Sequence, residues 1–299
     1  MVAQPVAAVL VDAMNAAAAV GAVRARKVPD ARVLQIGFLG TFLLIGVLAR
    51  DFTVTPLQVA ATFAAALATQ VLWLRALSLR QAGVLSAIVT SFGLSLLVRA
   101  DSWWVHPLLA SIAISSKFVL TRADGPGRRR HVFNPANLGA VLAAFVVPGA
   151  WVSPGQWGQH VLVAAWIVAL GSVVCRRAAR LDIGLVFLAW YLGLLGARAL
   201  ALGQPAAVFA HQVNNGALLL FAFFMISDPM TTPRAPIARV LYAGVVALAA
   251  VLWQFAAFRP HGLLVALFAL SPLVALLDRA FPGPAFTWHP GELGRMPAR

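Results

Sequence analysis

The chain has 299 residues, 61% of them hydrophobic and 11% charged, with a mean hydropathy of +0.87, and so few polar side chains cannot cover a water-soluble domain of that size. A net charge of +14 would suit nucleic acid, but the 23 Lys and Arg residues stand in short clusters between long apolar runs. Binding to nucleic acid needs a contiguous basic face, so the expected partner is the lipid bilayer and not nucleic acid. The single cysteine, Cys175, excludes an internal disulfide, a four-thiolate iron–sulfur site and a C-x-x-C redox pair.

Residues 1–32 are expected to form a cytoplasmic N-terminal segment. Within it, residues 6–23 are rich in Ala and Val but carry Asp12 and Asn15, which fits a helix lying on the membrane surface better than a span. No basic region precedes that stretch, as it would in a secretory signal. A membrane-crossing helix takes roughly 20 apolar residues. Spans are predicted near 33–49, 56–77, 83–98, 103–121, 134–149, 158–175, 181–200, 207–226, 237–256 and 262–278, giving one membrane domain over 33–280 and a cytoplasmic tail over 281–299. The breaks between them carry Pro, Gly or charge, as at Arg50-Asp51, residues 122–131, Asp228 to Pro236 and Arg259-Pro260.

Cytoplasmic loops retain Lys and Arg, so the charges test the count of spans. With an inside N-terminus, 19 of the 23 fall inside and only Arg50, Arg99, Arg198 and Arg259 fall outside. One miscounted span would scramble this alternation. The reading is a multi-pass protein of the plasma (bacterial inner) membrane with both termini cytoplasmic, and Trp103, Trp104, Trp151 and Trp157 at the outer interface. The halves also resemble each other. Thr90-Ser91-Phe92-Gly93 aligns with Val213-Asn214-Asn215-Gly216 at an offset of 123, and Phe133-Asn134-Pro135 with Phe258-Arg259-Pro260 at 125. The expected fold is all-α and polytopic, with about ten transmembrane helices in two inverted five-helix repeats over about 33–150 and 158–280.

Polar groups within spans are costly in hydrocarbon and mark interiors, cavities or ligands. Four clusters stand out. Thr90 and Ser91, with Ser95 nearby, and their counterparts Asn214 and Asn215 are candidates to line a central path, or else to join helices by hydrogen bonds. Ser115-Ser116-Lys117, followed by Arg122, Arg128 to Arg130 and His131, reads as a cationic rim for an anionic group or as a sidedness signal. In Asn134-Pro135-Ala136-Asn137-Leu138-Gly139, Asn134 caps a helix that starts at Pro135, which leaves Asn137 unexplained. Ser227-Asp228-Pro229-Met230-Thr231-Thr232-Pro233 places a carboxylate after a long apolar run, for capping or for organising a ligand or ion. His106, His160, His211 and His261 map toward the outer side near span ends, which predicts interface histidines and no metal or haem site. No P-loop, H-E-x-x-H, nucleophile triad or dinucleotide fingerprint is present in the sequence.

The segments Ser115 to Phe118, His131 to Gly139 and Ser227 to Pro233 resemble the NqrB/RnfD family of membrane subunits, which serve the sodium-translocating NADH:quinone oxidoreductase and the Rnf electron-transport complex. The resemblance extends over most of residues 33 to 280, and the chain looks like a shorter branch found beside enediyne biosynthesis genes. It implies ten spans in inverted halves, a flavin, other membrane or redox subunits as partners, and coupling of electron transfer to ion movement. The family attaches FMN covalently at a Thr in a Ser-Gly-Ala-Thr type motif, and no such tetrapeptide occurs in this sequence. The cofactor expected is therefore FMN or riboflavin held non-covalently, with covalent FMN not expected. Ser115, Ser116, Lys117, Asn134, Asn137, Asp228, Thr231 and Thr232 are the candidate binding residues, and Thr90, Ser91, Asn214 and Asn215 the candidate pathway residues. The leading reading is an electron-carrying membrane subunit and not a stand-alone enzyme. A small-solute channel or transporter, and a membrane anchor for a soluble partner docking at Arg122 to His131, are the alternatives.

Overall fold

A computed structural model of the chain describes residues 30–49, 52–79, 83–125, 128–153, 161–286 and 288. The expected surface helix at the N-terminus, Trp157, His160 and most of the stretch Trp151 to His160 lie outside the described residues. Of the two units into which the chain divides, Met1–Asp30 and Ala31–Arg299, only the second is described beyond a single residue.

Among the described residues the chain forms twelve helices and two short two-stranded ribbons. The first half comprises α1 (Ala31–Ala49), α2 (Pro56–Ala76), α3 (Val84–Leu97), α4 (Val105–Val119) and α5 (Pro135–Phe145). The second comprises α6 (Val161–Arg177), α7 (Leu181–Ala201), a bent pair α8 (Ala206–Val213) and α9 (Gly216–Met225), then α10 (Pro236–Ala256), and a second bent pair α11 (Gly262–Leu270) and α12 (Leu273–Ala280). Strand β1 (Val98–Ala100) pairs antiparallel with β4 (Ala150–Val152) at one end of the bundle, and β2 (Thr121–Ala123) with β3 (Arg129–His131) at the other.

Each predicted span coincides with helix, and local signals explain the boundaries. Thr55 closes a capping box with Gln58 ahead of Pro56, and Asn134 accepts from the Asn137 amide ahead of Pro135. The lengths refine the count. Helices α1, α2, α7 and α10 are long and apolar enough to cross a membrane, and each bent pair adds one more if it acts as a single span. The pairs bend by 47° at Asn214-Asn215 and by 54° at Ser271-Pro272. Helices α3, α4 and α5 have 14, 15 and 11 residues, too short for a straight crossing at about 1.5 Å per residue. The chain is an all-α polytopic membrane protein in which four to six helices span by length, with shorter apolar helices between them.

Packing repeats between the halves. The second helical unit lies parallel on the fourth in both: α2 on α4 through Thr62–His106 (3.3 Å), Thr69–Ser111 (3.2 Å) and Trp73–Ser115 (2.9 Å), and α7 on α10 through Asp182–Arg239 (2.6 Å) and the close approach of Gly244 to Trp190. The first unit lies on the third, and the fourth on the fifth, in both halves. Across the halves, first meets first and fifth meets fifth. Phe133 stacks on Phe268, Asn137 donates to the Leu264 carbonyl (3.1 Å) and Phe145 meets His261 edge-on, so α5 and α11 run antiparallel. That is the relation an inverted duplication requires.

The second half packs tightly around a π-helical turn, Phe221–Met225, that ends α9. A Cβ at Gly184 of α7 would stand 2.7 Å from the Ala222 carbonyl oxygen, and one at Gly171 of α6 would stand 2.6 Å from the Phe223 Cβ. The wide turn leaves the Phe223 carbonyl accepting from both the Cys175 thiol and the Ser227 hydroxyl. Such turns within helices recur at functional sites.

Candidate functional site at the charged face

One end of the bundle gathers the segments 122–134, 176–182, 228–239 and 278–288 through side-chain contacts. Arg122 pairs with Asp278 (2.8 Å), Arg239 with Asp182 (2.6 Å) and Arg234 with Asp124, while the Arg234 amide donates to Asp278 (2.7 Å). These are segments the charge alternation assigned to one side of the membrane, and the packing brings them to one face.

Arg130 is the hub. The β2–β3 ribbon alternates its side chains, so Arg130 points inward while Arg129 stays exposed. Its guanidinium donates to the carbonyls of Pro229 (2.7 Å), Met230 (2.9 Å) and Thr232 (2.9 Å), and stands 3.5 Å from Asp124 and 3.6 Å from Asp278. Burial lowers its pKa, and so does Arg122, against the opposing pull of the carboxylates. Arg180 reinforces the same loop by donating to the Thr232 hydroxyl (3.0 Å). Burial first, then Arg239 and Arg130, bring it down to about 10, which leaves it charged at neutral pH.

The loop held in this way presents Asp228 to the first half. Its Oδ2 accepts from the Asn134 side chain (3.1 Å), its Oδ1 accepts from the Met230 amide (2.9 Å), and the His131 Nε2 stands 3.8 Å away. Burial works to raise the Asp228 pKa, but the His131 ring, the Met230 N–H and Arg130 outweigh it and hold the carboxyl below its usual range. Asn134, which caps α5, therefore joins a helix start in one half to a carboxylate in the other. Asn137 extends the joint to α11, and its Oδ1 is buried without a hydrogen-bond partner among the described residues. Thr231 and Thr232 are buried within the Asp228 loop.

A cavity of ≈ 120 Å³ opens beside this joint. Thr90, His131, Asn134 and Asp228 contribute polar groups, Phe223, Phe224 and Cys175 form its wall, and Arg32 and Trp288 line it from α1 and the C-terminal segment. A second cavity of ≈ 420 Å³ lies toward the opposite end, lined by Tyr191, His211, Gln212, Asn215, Gln254 and His261. The two cavities share Leu97, Leu220 and Met225 as wall residues.

The structure sorts the sequence candidates into groups. Asn134, Asn137, Asp228, Thr231 and Thr232 come together. Ser115, Ser116 and Lys117 are tied elsewhere: the Trp73 indole donates to Ser115 (2.9 Å), Lys117 donates to Gln70 (2.9 Å), and Ser116 bonds back within α4. Lys117 remains within electrostatic reach of Asp228 and Arg32. Thr90 and Asn215 line different cavities, Ser91 bonds to its own helix at Ala87, and Asn214 is exposed at the bend. Sequence reasoning places Arg130 only in a cationic rim and not as the hub of the Asp228 loop, and it misses Arg180 and Cys175 as site residues. Arg130 was legible in principle, since the middle residue of Arg129-Arg130-His131 must face away from its neighbours once the run is read as a strand. Among the described residues, no three His, Cys, Asp or Glu side chains come together in a metal-holding group.

No curated protein matches the chain. A family model described as the NQR2, RnfD, RnfE family matches residues 151–286, a stretch that holds the Asp228 loop, Arg180 and all the helices of the second half. Over those residues the chain is similar to the NQR2, RnfD, RnfE family.

Proposed function

We propose that this chain is an electron-carrying membrane subunit that holds FMN or riboflavin non-covalently in the charged-face cavity and works with other redox subunits to couple electron transfer to ion movement. The observation that carries the reading is the Asn134–Asp228–His131 group at the wall of that cavity. A flavin ring offers carbonyl acceptors and an N–H donor along one edge. The Asn134 amide, the Asp228 carboxylate and the His131 Nε2, which is buried and without a hydrogen-bond partner among the described residues, are complementary to such an edge. Phe223 and Phe224 supply apolar and aromatic surface for the ring faces, and Arg32 supplies a cation for a phosphate. A bound flavin would supply one- and two-electron transfer. The protein's own residues would orient the ring through Asn134 and Asp228, hold a proton at His131, and exclude water with the aromatic wall. The plasma membrane, with both termini cytoplasmic, is the location this reading assigns, on the charge alternation. Protein purified from membranes should carry a flavin absorption band that is released on denaturation and that weakens in Asn134→Ala.

The alternative of small-solute or ion passage is favoured by one observation: the two cavities approach from opposite ends and meet at Leu97, Leu220 and Met225. Uptake into proteoliposomes that stops with Leu220→Trp, in protein without flavin, would favour it. The anchor reading has less support, because Arg122, Arg128 and Arg130 are engaged within the protein, with Arg128 donating to the Phe286 carbonyl (2.9 Å).

A further inference from the structure

The segment after α12 is bound across the charged face as a strap. Gly283 presses against Arg234 and Ala235, where a Cβ would stand 2.9 Å from the Ala235 nitrogen. The Phe286 carbonyl accepts from Arg128, its ring lies 5.3 Å from the Arg180 guanidinium, and it packs edge-on against Trp288 at 5.0 Å. The Trp288 indole in turn lies 4.5 Å from the Arg32 guanidinium and lines the charged-face cavity. The strap therefore touches the start of α1 in one half and the start of α7 in the other. It places a planar aromatic ring beside the cation and the apolar wall that a planar ligand would use.

We infer that the strap is an intramolecular plug, with Trp288 occupying the mouth of the cavity and leaving it when a planar ring compound enters. This inference rests on reading the cavity as a site for such a ligand. The strap's fastenings suit the role. Contacts of an arginine with a ring, an aromatic pair and one hydrogen bond to a carbonyl are individually weak. The loop beneath is fixed by buried ion pairs and by the three carbonyl contacts of Arg130, so the strap can open while its seat stays in place. Occupation by Trp288 and by a ligand ring are mutually exclusive, and a binding partner that draws the strap away would raise affinity for the ligand by removing its competitor.

The chain supplies its own reporter, because its one cysteine, Cys175, is in the cavity wall. In purified full-length protein, the rate of Cys175 alkylation by a small maleimide, followed by intact mass, should rise about tenfold in Trp288→Ala, the factor produced by a ~1.4 kcal/mol shift of the open–closed equilibrium. Trp288→Phe, which keeps a ring, should stay near the wild-type rate. Trp166→Ala, at an exposed position of α6 away from the cavity lining, should leave the rate unchanged. A second reporter, Ser86→Cys combined with Cys175→Ala, reads the same cavity from α3. Equal rates with and without Trp288 at both reporters, or equal acceleration by Trp166→Ala, would overturn the plug. The readout is thiol access, so it separates from the flavin reading. Flavin-free protein that still shows Trp288-dependent access refutes the cofactor and keeps the plug.

Discussion

Replacing Arg130 by Met tests the joint between the halves most severely. Arg130 is 2% exposed, donates to three carbonyls of the Asp228 loop and faces Asp124 and Asp278. Met fills a similar volume but leaves those carbonyls without a donor and the two carboxylates with one cation fewer. Removing one partner of a buried, hydrogen-bonded pair costs about 3–5 kcal/mol. Asp124 keeps Arg234 and Asp278 keeps Arg122, which places the expected loss at the low end, ~3 kcal/mol. At roughly 2 °C per kcal/mol for a chain of this size, the midpoint of thermal unfolding in detergent, read by intrinsic tryptophan fluorescence, should fall by about 6 °C. Arg130→Lys keeps the charge but not the three-way fork and should fall between the two. A change below about 1 °C in Arg130→Met would refute the assignment of Arg130 as the residue that fixes the loop.

Three further outcomes follow from the same geometry. Asn134→Ala removes both the cap of α5 and the contact to Asp228 and should cost about 1–2 kcal/mol in the same unfolding assay; a silent substitution would deny the cap its role. Asp228 has a folded pKa below its unfolded value, so its contribution is fully present above roughly pH 4 and is lost as pH falls through the folded value. In Asp228→Asn the acid limb of the stability–pH profile should flatten while the neutral limb keeps its shape, and an unchanged acid limb would show that other carboxylates dominate. Gly184→Val drives a side chain into the Ala222 carbonyl at the π turn and should destabilise by about 1–3 kcal/mol or more, whereas Gly193→Ala, with open space around it, should be neutral. Equal midpoints for those two glycine variants would contradict the packing at the π turn.

The helical units were legible because long apolar runs, Pro at helix starts and caps such as Thr55 and Asn134 carry the signal in a few consecutive residues. The pairing of segments on one face was legible from the charge alternation. The depth of each span was not. The bends at Asn214-Asn215 and Ser271-Pro272 and the short lengths of α3 to α5 are not carried by hydropathy, because apolar composition reads the same in a straight or a bent helix. The offset that aligned Thr90-Ser91 with Asn214-Asn215 matched corresponding helical units, yet inversion places the two pairs toward opposite ends, so a repeat position is not a shared site. Lys117 read as part of a rim because its motif lies close in sequence to Arg122, while the structure ties it to Gln70 on α2. The Asn134–Asp228 contact joins positions 94 residues apart, and only the fold could show that the two polar clusters are one.

The most direct test of the central claim is the cofactor content of full-length protein purified from membranes in mild detergent. The account predicts a visible flavin absorption band, with FMN or riboflavin released into the supernatant when the protein is denatured and none retained on the polypeptide by mass. Colourless protein with no flavin in the extract, or flavin that stays covalently attached after denaturation, would contradict it.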